Sequence, residues 1–431
     1  MSMDRTLPES RQTRAAGDAF LAERSVELLR RLLAGYRGPV GVRLWDGRWP
    51  VGAPGAPATL VVRHPGALRE LLLHGDLVRF GEAYLGGALD VEGDMETLFD
   101  LVEYLRRQDW SLRRRLGLAW QAWRLPRHDG TAEGCGPCRV HENSATAIRH
   151  HYDVGNDFYG LWLDAERVYS CAYFRDEAQS LDEAQRDKLD YICRKLRLAP
   201  GQRLLDIGCG WGALAIRAAR HYGAQVHGIT LSQAQCDFAR ERVAREGLQD
   251  RVTIELRDYR DLPPEPSYDR VVSVGMFEHI GVRNFPRYFG LVRKLMRPGG
   301  LFLNHGITND TGWIDTPITR FVNAYVFPDG ELAQVSTVQT EMERAGFEIL
   351  DVESLRRHYA LTLRAWIRNL EARWDEAVAC TSEATARLWR LYMAGSAYFF
   401  SEGSTNVYQI LAGRLYDTPS VPLRRDDLYR P

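Results

Sequence analysis

Glycines at 208, 210 and 212, acids at 206 and 258, and isolated ionisable groups at 278 and 305 are the residues of this 431-residue chain whose types and spacing could do chemistry. The segment RLLDIGCGWG (203–212) places an apolar strand and an acid ahead of the glycines, and a helical run follows. Glycine lets the backbone approach a ligand where any Cβ would collide, and the helix behind the loop points free N–H groups at that ligand. The pattern predicts a nucleotide-type cofactor site, with Asp206 in the loop and Asp258 at the end of the third strand as acids for its polar groups. Dinucleotide folds put Asp or Glu at the end of the second strand to hold the ribose. Here that end reads Gly228-Ile229-Thr230-Leu231-Ser232, which argues against a standard NAD site. Glu278 lies in the apolar run VVSVGMFEHI, where an unpaired carboxylate is costly to bury, so it needs a partner or a site. His305 stands at the carboxyl end of a strand, where α/β folds bind ligands. Cys135-Gly-Pro-Cys138 has the spacing of a dithiol or half a zinc knuckle, but it sits in a Gly/Pro stretch without a second pair, so no metal site is expected.

These residues need a frame. From about Arg203, strand-like runs (RLLDI, QVHGI, VTIEL, DRVVSVG, GLFLNHGI) alternate with helical ones (ALAIRAARHY, QAQCDFARERVARE, RYFGLVRKLM). That alternation predicts right-handed crossovers and a parallel sheet with helices on both faces, an α/β Rossmann-like arrangement. The tail from about Ser336 predicts a helix, a strand at FEILDVES, two long helices in ALTLRAWIRNLEARWDEAV and SEATARLWRLYMAGSAYFF, and a last strand near VYQIL. Residues 1–125 mix helical spacing (AERSVELLRRLLAGY) with strand alternation (VGVRLWDG, ATLVVRHP), which predicts a small α+β N-terminal domain. Residues 126–142 hold Pro, Gly and charge without periodicity and read as a linker to a catalytic domain over 143–431.

Composition sets outer limits. A net charge of -1 gives no global reason to expect nucleic acid as a partner, and 45% hydrophobic residues exclude a disordered chain. The N-terminal residues lack a secretory apolar stretch and no later run approaches a membrane span, so a cytoplasmic location is expected. Residues 106–127 nevertheless carry seven arginines against Asp109, together with Trp110, Trp120 and Trp123. Arginine and tryptophan on an amphipathic helix suit the surface of an anionic bilayer, with a solvated, salt-bridged face as the alternative.

Six segments occur together and in order: HYDVGNDFYGLWLD (151–164), YSCAYF (169–174), LDIGCGWG (205–212), GITLSQAQ (228–235), VGMFEHIG (274–281) and HYALTLRAW (358–366). With them the chain resembles the cyclopropane-fatty-acid and mycolic-acid cyclopropane synthases, which are class I S-adenosylmethionine-dependent methyltransferases. LVRFGEAYLGGALDVEGDMETLF (77–99) is similar to the N-terminal module of the longer bacterial members. The resemblance implies S-adenosylmethionine as cofactor and, as substrate, a cis-unsaturated acyl chain carried on a phospholipid at a membrane. It places Tyr152, Tyr169 and Ser170 at the methionine end, and the loop glycines Gly208, Gly210 and Gly212 with Asp206 along the cofactor. Thr230, Leu231 and Gln235 fall at the ribose, and Asp258, Tyr259 and Arg260 beside the adenine. It further implies a bicarbonate ion as base, held by Cys171, Glu278, His305, Ile307 and Tyr359, and a homodimer. His279 stays outside this set.

Two departures bear on the product. A stretch that reads FPGG-x-LP in the family is FPDGELA here (327–333), and Ser396 replaces a late-helix cysteine, which removes a covalent role at that point. The expected product is a cyclopropane ring. A methylene- or methyl-branched chain from the same carbocation, or N-methylation of a small or lipid amine, are the alternatives.

Overall fold

The computed structural model describes residues 11–74, 77–127, 155–312, 314–327, 330–417 and 421–429. The chain divides into two compact units: residues 1–136 with 383–391, and residues 137–382 with 392–431.

The smaller unit is α+β. Its described elements run α1 (Arg11–Leu32), β1 (Val40–Leu44), β2 (Ala58–Val62), α2 (Pro65–His74), α3 (Leu77–Leu85), β3 (Leu89–Gly93), α4 (Leu98–Arg106) and α5 (Leu112–Trp123). β2 is central, parallel to β1 and antiparallel to β3. Leu28, Leu32, Val42, Leu60, Leu68, Leu98 and Leu101 are buried around this sheet, and removal of such apolar surface from water is the main stabilising term. A contiguous N-terminal domain was the expectation from composition. Residues 383–391 depart from it because two arginines tie them in: Arg387 donates to the Tyr84 carbonyl and Arg390 to the Val91 carbonyl, at 3.3 and 3.0 Å.

The larger unit is a seven-stranded sheet. It begins with α6 (Asn156–Trp162) and α7 (Leu181–Lys195), then alternates through β4 (Arg203–Ile207), α8 (Ala213–Tyr222), β5 (Gln225–Thr230), α9 (Gln233–Arg245), β6 (Val252–Leu256), β7 (Tyr268–Val274), α10 (Phe285–Leu295) and β8 (Met296–Asn309). The tail adds α11 (Pro317–Tyr325), α12 (Val335–Arg344), β9 (Phe347–Ser354), α13 (Arg356–Ala372), α14 (Trp374–Cys380), α15 (Glu383–Glu402), of which residues 383–391 belong to the smaller unit, and β10 (Thr405–Arg414). Strand order is β6-β5-β4-β7-β8-β10-β9. The first five strands are parallel, and β10 lies antiparallel to both β8 and β9. One apolar layer is built from α7, α8 and α9 residues such as Ile192, Leu214 and Val243, and the opposite layer from α10 and α12 residues such as Phe289, Val292 and Met342. Helices thus cover both faces, as the alternation predicts. The first long helix of the tail breaks at Arg373, so that α13 and α14 are separate.

The order reverses between β4 and β7, and the carboxyl ends of strands at such a switch point are where open α/β sheets bind ligands. No helix among the described residues is long and apolar enough to cross a membrane.

Candidate active site

The glycine loop leaves β4 at that switch point. Gly208, Gly210 and Gly212 all have positive φ (82°, 54° and 83°), a conformation that L side chains rarely adopt. The N–H groups of Gly208 and Cys209 both donate to the Ile229 carbonyl at 2.9 Å, which fastens the loop to the end of β5. A Cβ on Gly208 would lie 3.3 Å from Met276 Cβ, closing the gap across the cleft. One on Gly212 would press 3.1 Å from Ala239 Cβ, so Gly212 seats α8 against α9 instead of facing a ligand.

The cleft in front of the loop encloses about 1330 Å³ including its open mouth. Of the residues expected at the cofactor, Tyr169, Ser170, Asp206, Gly208, Gly210, Thr230, Leu231, Gln235, Asp258, Tyr259 and Arg260 line it. Tyr152 lies outside the described residues, as do Cys135 and Cys138. The Thr230 hydroxyl donates to Gln235 Oε1 at 2.9 Å, which turns the amide N–H groups of Gln235 away as donors. Burial alone would raise the Asp258 carboxyl, but Arg260 donates to it through its backbone N–H and its guanidinium and holds it below the usual range. At the other end, Asp206 is fully buried; burial pushes its carboxyl up to about 7 against the attraction of Lys188, and its Oδ2 has no hydrogen-bond partner among the described residues. An adenosine-type cofactor with a charged amino-acid end fits this frame: the loop has no Cβ in its way, and an orphaned carboxylate oxygen waits for a cation.

Cys171, Glu278, His305 and Tyr359 are buried and Ile307 is half-buried. Backbone pairing joins them: Ile307 opposes Val407 in the β8–β10 register, the Leu355 N–H donates to the Val407 carbonyl at 2.8 Å, and the Tyr359 N–H to the Leu355 carbonyl at 3.0 Å. The Cys171 thiol faces the Leu355 carbonyl at 3.7 Å. The Gly275 N–H donates to the His305 carbonyl at 2.8 Å, and Gly275 also lines the cleft, so the two regions share a wall. Burial lifts Glu278 to about 7 and drives His305 well below its ordinary value, leaving the imidazole neutral. Glu278 Oε2 and His305 Nε2 are both buried without a partner among the described residues. Burial also pushes the Cys171 thiol far up, so no thiolate forms there.

The Ile307 N–H donates to Glu278 Oε1 at 3.4 Å. Gln409, opposite His305 in register, orients the imidazole through Nε2 at 3.2 Å from Nδ1. One detail differs from the sequence expectations: His279, expected outside the site, lines the cofactor cleft, with burial lowering it to about 4. Gly306 is a residue that sequence reasoning missed: a Cβ there would enter the edge of the Phe277 ring and lie 2.8 Å from Glu278 Oε2. A glycine inside a strand marks close approach of this kind and was the available signal. Lys188 was missed as well, although it is one of three lysines among 56 basic residues and lines the cleft.

Residues 140–410 match the family model described as mycolic acid cyclopropane synthetase. The chain belongs to this family. It is accordingly an S-adenosylmethionine-dependent methyltransferase. A probable fatty acid methyltransferase of Pseudomonas putida is 43% identical over 397 residues, covering 91% of this chain and 96% of the relative. The cyclopropane-fatty-acyl-phospholipid synthase of Escherichia coli K12 is 36% identical over 364 residues, covering 83% and 88%. Among solved structures, the mycolic acid cyclopropane synthase CmaA1 complexed with SAH and CTAB is 34% identical with a TM-score of 0.59, covering 63% of this chain and 99% of that one.

Proposed function

We propose that this chain methylates the cis double bond of an unsaturated acyl chain on a phospholipid and closes it to a cyclopropane ring, with bicarbonate as the base. Two orphaned polar atoms, Glu278 Oε2 and His305 Nε2, both buried and without a hydrogen-bond partner among the described residues, carry the reading. Bound S-adenosylmethionine supplies an electrophilic methyl group. An isolated alkene is a weak nucleophile, so the chain's contribution is to hold it in line and exclude water. Tyr169, Trp366, Tyr359 and Phe400 form a run of rings with centroids 5.3, 6.0 and 4.6 Å apart, and aromatic faces favour the positive charge left on the acyl chain. Ring closure then requires loss of a proton from the added methyl to a nearby base.

Neutral His305, oriented by Gln409, and Glu278, propped by the Ile307 N–H, would hold bicarbonate, which supplies that base. A carboxyl titrating near 7 suits relay of the proton onward. Removal of dissolved carbonate should abolish turnover on unsaturated-phospholipid vesicles, and its return should restore it. Turnover indifferent to carbonate overturns the base assignment, and label found in a head-group amine overturns the alkene as acceptor.

The lipid reading extends to α5. Leu112, Leu116, Trp120 and Trp123 recur at helical spacing and are 72%, 63%, 59% and 65% exposed, while Leu118 and Ala122 face inward. Arg113, Arg115 and Arg124 flank that apolar stripe, with the Arg124 guanidinium 4.5 Å over the Trp120 ring. Such a helix suits the interface of an anionic membrane, with the rings at head-group depth. In this reading the protein works peripherally, at the cytoplasmic face, as a homodimer.

A further inference from the structure

Lysine is rare in this chain: 53 of its 56 basic residues are arginine. Lys188 is nonetheless 1% exposed and lines the cofactor cleft. It stands on α7, whose start is fixed by a capping box between Ser180 and Glu183. Three residues before it, Gln185 donates to the carbonyls of Val168 and Ser170 at 3.3 and 2.9 Å. One face of α7 thus holds the Tyr169–Ser170 segment. Lys188 Nζ donates to Ser170 Oγ at 2.9 Å, the one hydrogen bond found for it among the described residues, so two of its three N–H donors remain. Because the Ser170 oxygen accepts from the ammonium, its own proton is free to be donated into the cleft.

The other cations along the cleft act on other groups. Arg260 is tied to Asp258 and Arg257 to Glu255, Arg287 acts on Asp258 and Tyr259, and Arg167 donates to the Asn156 carbonyl and lies over the Phe238 ring. Of the two buried acids that act on Lys188, Asp164 already accepts from the Val168 and Glu166 N–H groups, whereas Asp206 Oδ2 has no partner among the described residues. The end of the cleft away from Asp258 therefore presents one unspent ammonium and one unspent carboxylate oxygen. That is the complement of a free amino acid, which carries one carboxylate and one ammonium.

We propose that Lys188, with the Ser170 hydroxyl it orients, binds the carboxylate of the cofactor's methionine end while Asp206 faces the ammonium. The proposal rests on the S-adenosylmethionine assignment and adds the residue that reads the amino-acid part. Burial lowers Lys188 to about 8, countered by Asp164, Cys171 and Asp206, so an incoming carboxylate strengthens its charged state. Arginine would be a poor substitute, because a bulky guanidinium does not fit a fully enclosed position spaced for a point charge.

The test compares two thioether ligands by calorimetry on the full-length protein: S-adenosylhomocysteine, and S-adenosyl-3-thiopropylamine, which lacks only the carboxylate. The wild-type protein should bind the first about ten- to a hundredfold more tightly, the range of a hydrogen bond to a charged group. Lys188→Met should erase that preference and leave the affinity for the carboxylate-free ligand within about threefold. A wild-type protein without the preference, or a K188M protein that keeps it, overturns the proposal. The wild-type comparison needs no substitution and decides even if K188M fails to fold. Failure of the wild type to bind either ligand would instead refute the cofactor assignment beneath it.

Discussion

Gly306 offers the sharpest perturbation of the surroundings of Glu278. It lies between His305 and Ile307 on β8, and a methyl group there would collide with the edge of Phe277 and approach Glu278 Oε2 to 2.8 Å. Phe277 cannot swing clear easily: it is 2% exposed and packs edge-on against Phe285 with centroids 5.6 Å apart. Overpacking a filled core typically costs about 1–3 kcal/mol. For a unit of this size that corresponds to a fall of roughly 2–10 °C in melting temperature. The functional effect should be larger than the stability effect, because displacing Phe277 also displaces Glu278 from the Ile307 N–H. A shift of about 1 Å at a reacting centre can cost about a hundredfold in rate. Gly306→Ala should therefore fold, melt slightly lower, bind S-adenosylhomocysteine like wild type and turn over about a hundredfold more slowly on unsaturated vesicles. Adding Phe277→Leu should recover part of the rate by making room. Wild-type turnover by G306A would refute the argument that this glycine sets the position of Glu278.

Other outcomes follow from the same geometry. Asp206 and Glu278 have folded-state values near 7, above their unfolded values near 4, so the folded chain holds extra protons between those limits. Their contribution to stability is present at low pH and lost as pH rises through about 7, so the ligand-free protein should melt lower at pH 8 than at pH 6, with a weaker dependence in Asp206→Asn; an unchanged slope in D206N contradicts the assignment. Gln409→Leu removes the partner of His305 Nδ1 and should lower kcat at least tenfold with little change in S-adenosylhomocysteine affinity, and a purely structural role would show instead as a matching loss of binding and melting temperature. Replacing Arg113, Arg114 and Arg115 by Glu, or Leu116 and Trp120 by Ser, should reduce sedimentation with anionic vesicles severalfold; unchanged sedimentation in both variants removes α5 as the membrane contact.

Parts of the site were legible in the sequence for physical reasons. The glycine loop and the strand–helix alternation are local patterns, each set by backbone sterics and periodicity within a few residues. Glu278 stood out because charge in an apolar run requires an explanation, and His305 because it ends a strand where α/β folds bind ligands. What could not be read was long-range pairing. Nothing local says that β10 inserts antiparallel between β8 and β9, and only that register sets Gln409 opposite His305. Strand pairing depends on neighbours across the sheet more than on intrinsic preference. Gly306 belongs with it, since its need for a missing Cβ comes from Phe277, 29 positions away in the chain. Assignment of residues 383–391 to the smaller unit likewise rests on Arg387 and Arg390 reaching carbonyls far back in the chain, at sequence separations of 303 and 299.

The most direct test of the central claim is to follow a ¹³C-labelled methyl group from S-adenosylmethionine into vesicles of a cis-monounsaturated phospholipid and examine the acyl chains by NMR and mass spectrometry. The account predicts label in a ring methylene bridging the two former alkene carbons, and none in vesicles whose chains are saturated. Label in a branch methyl or methylene would contradict ring closure, and label in a head-group amine, or no transfer at all, would contradict the reaction itself.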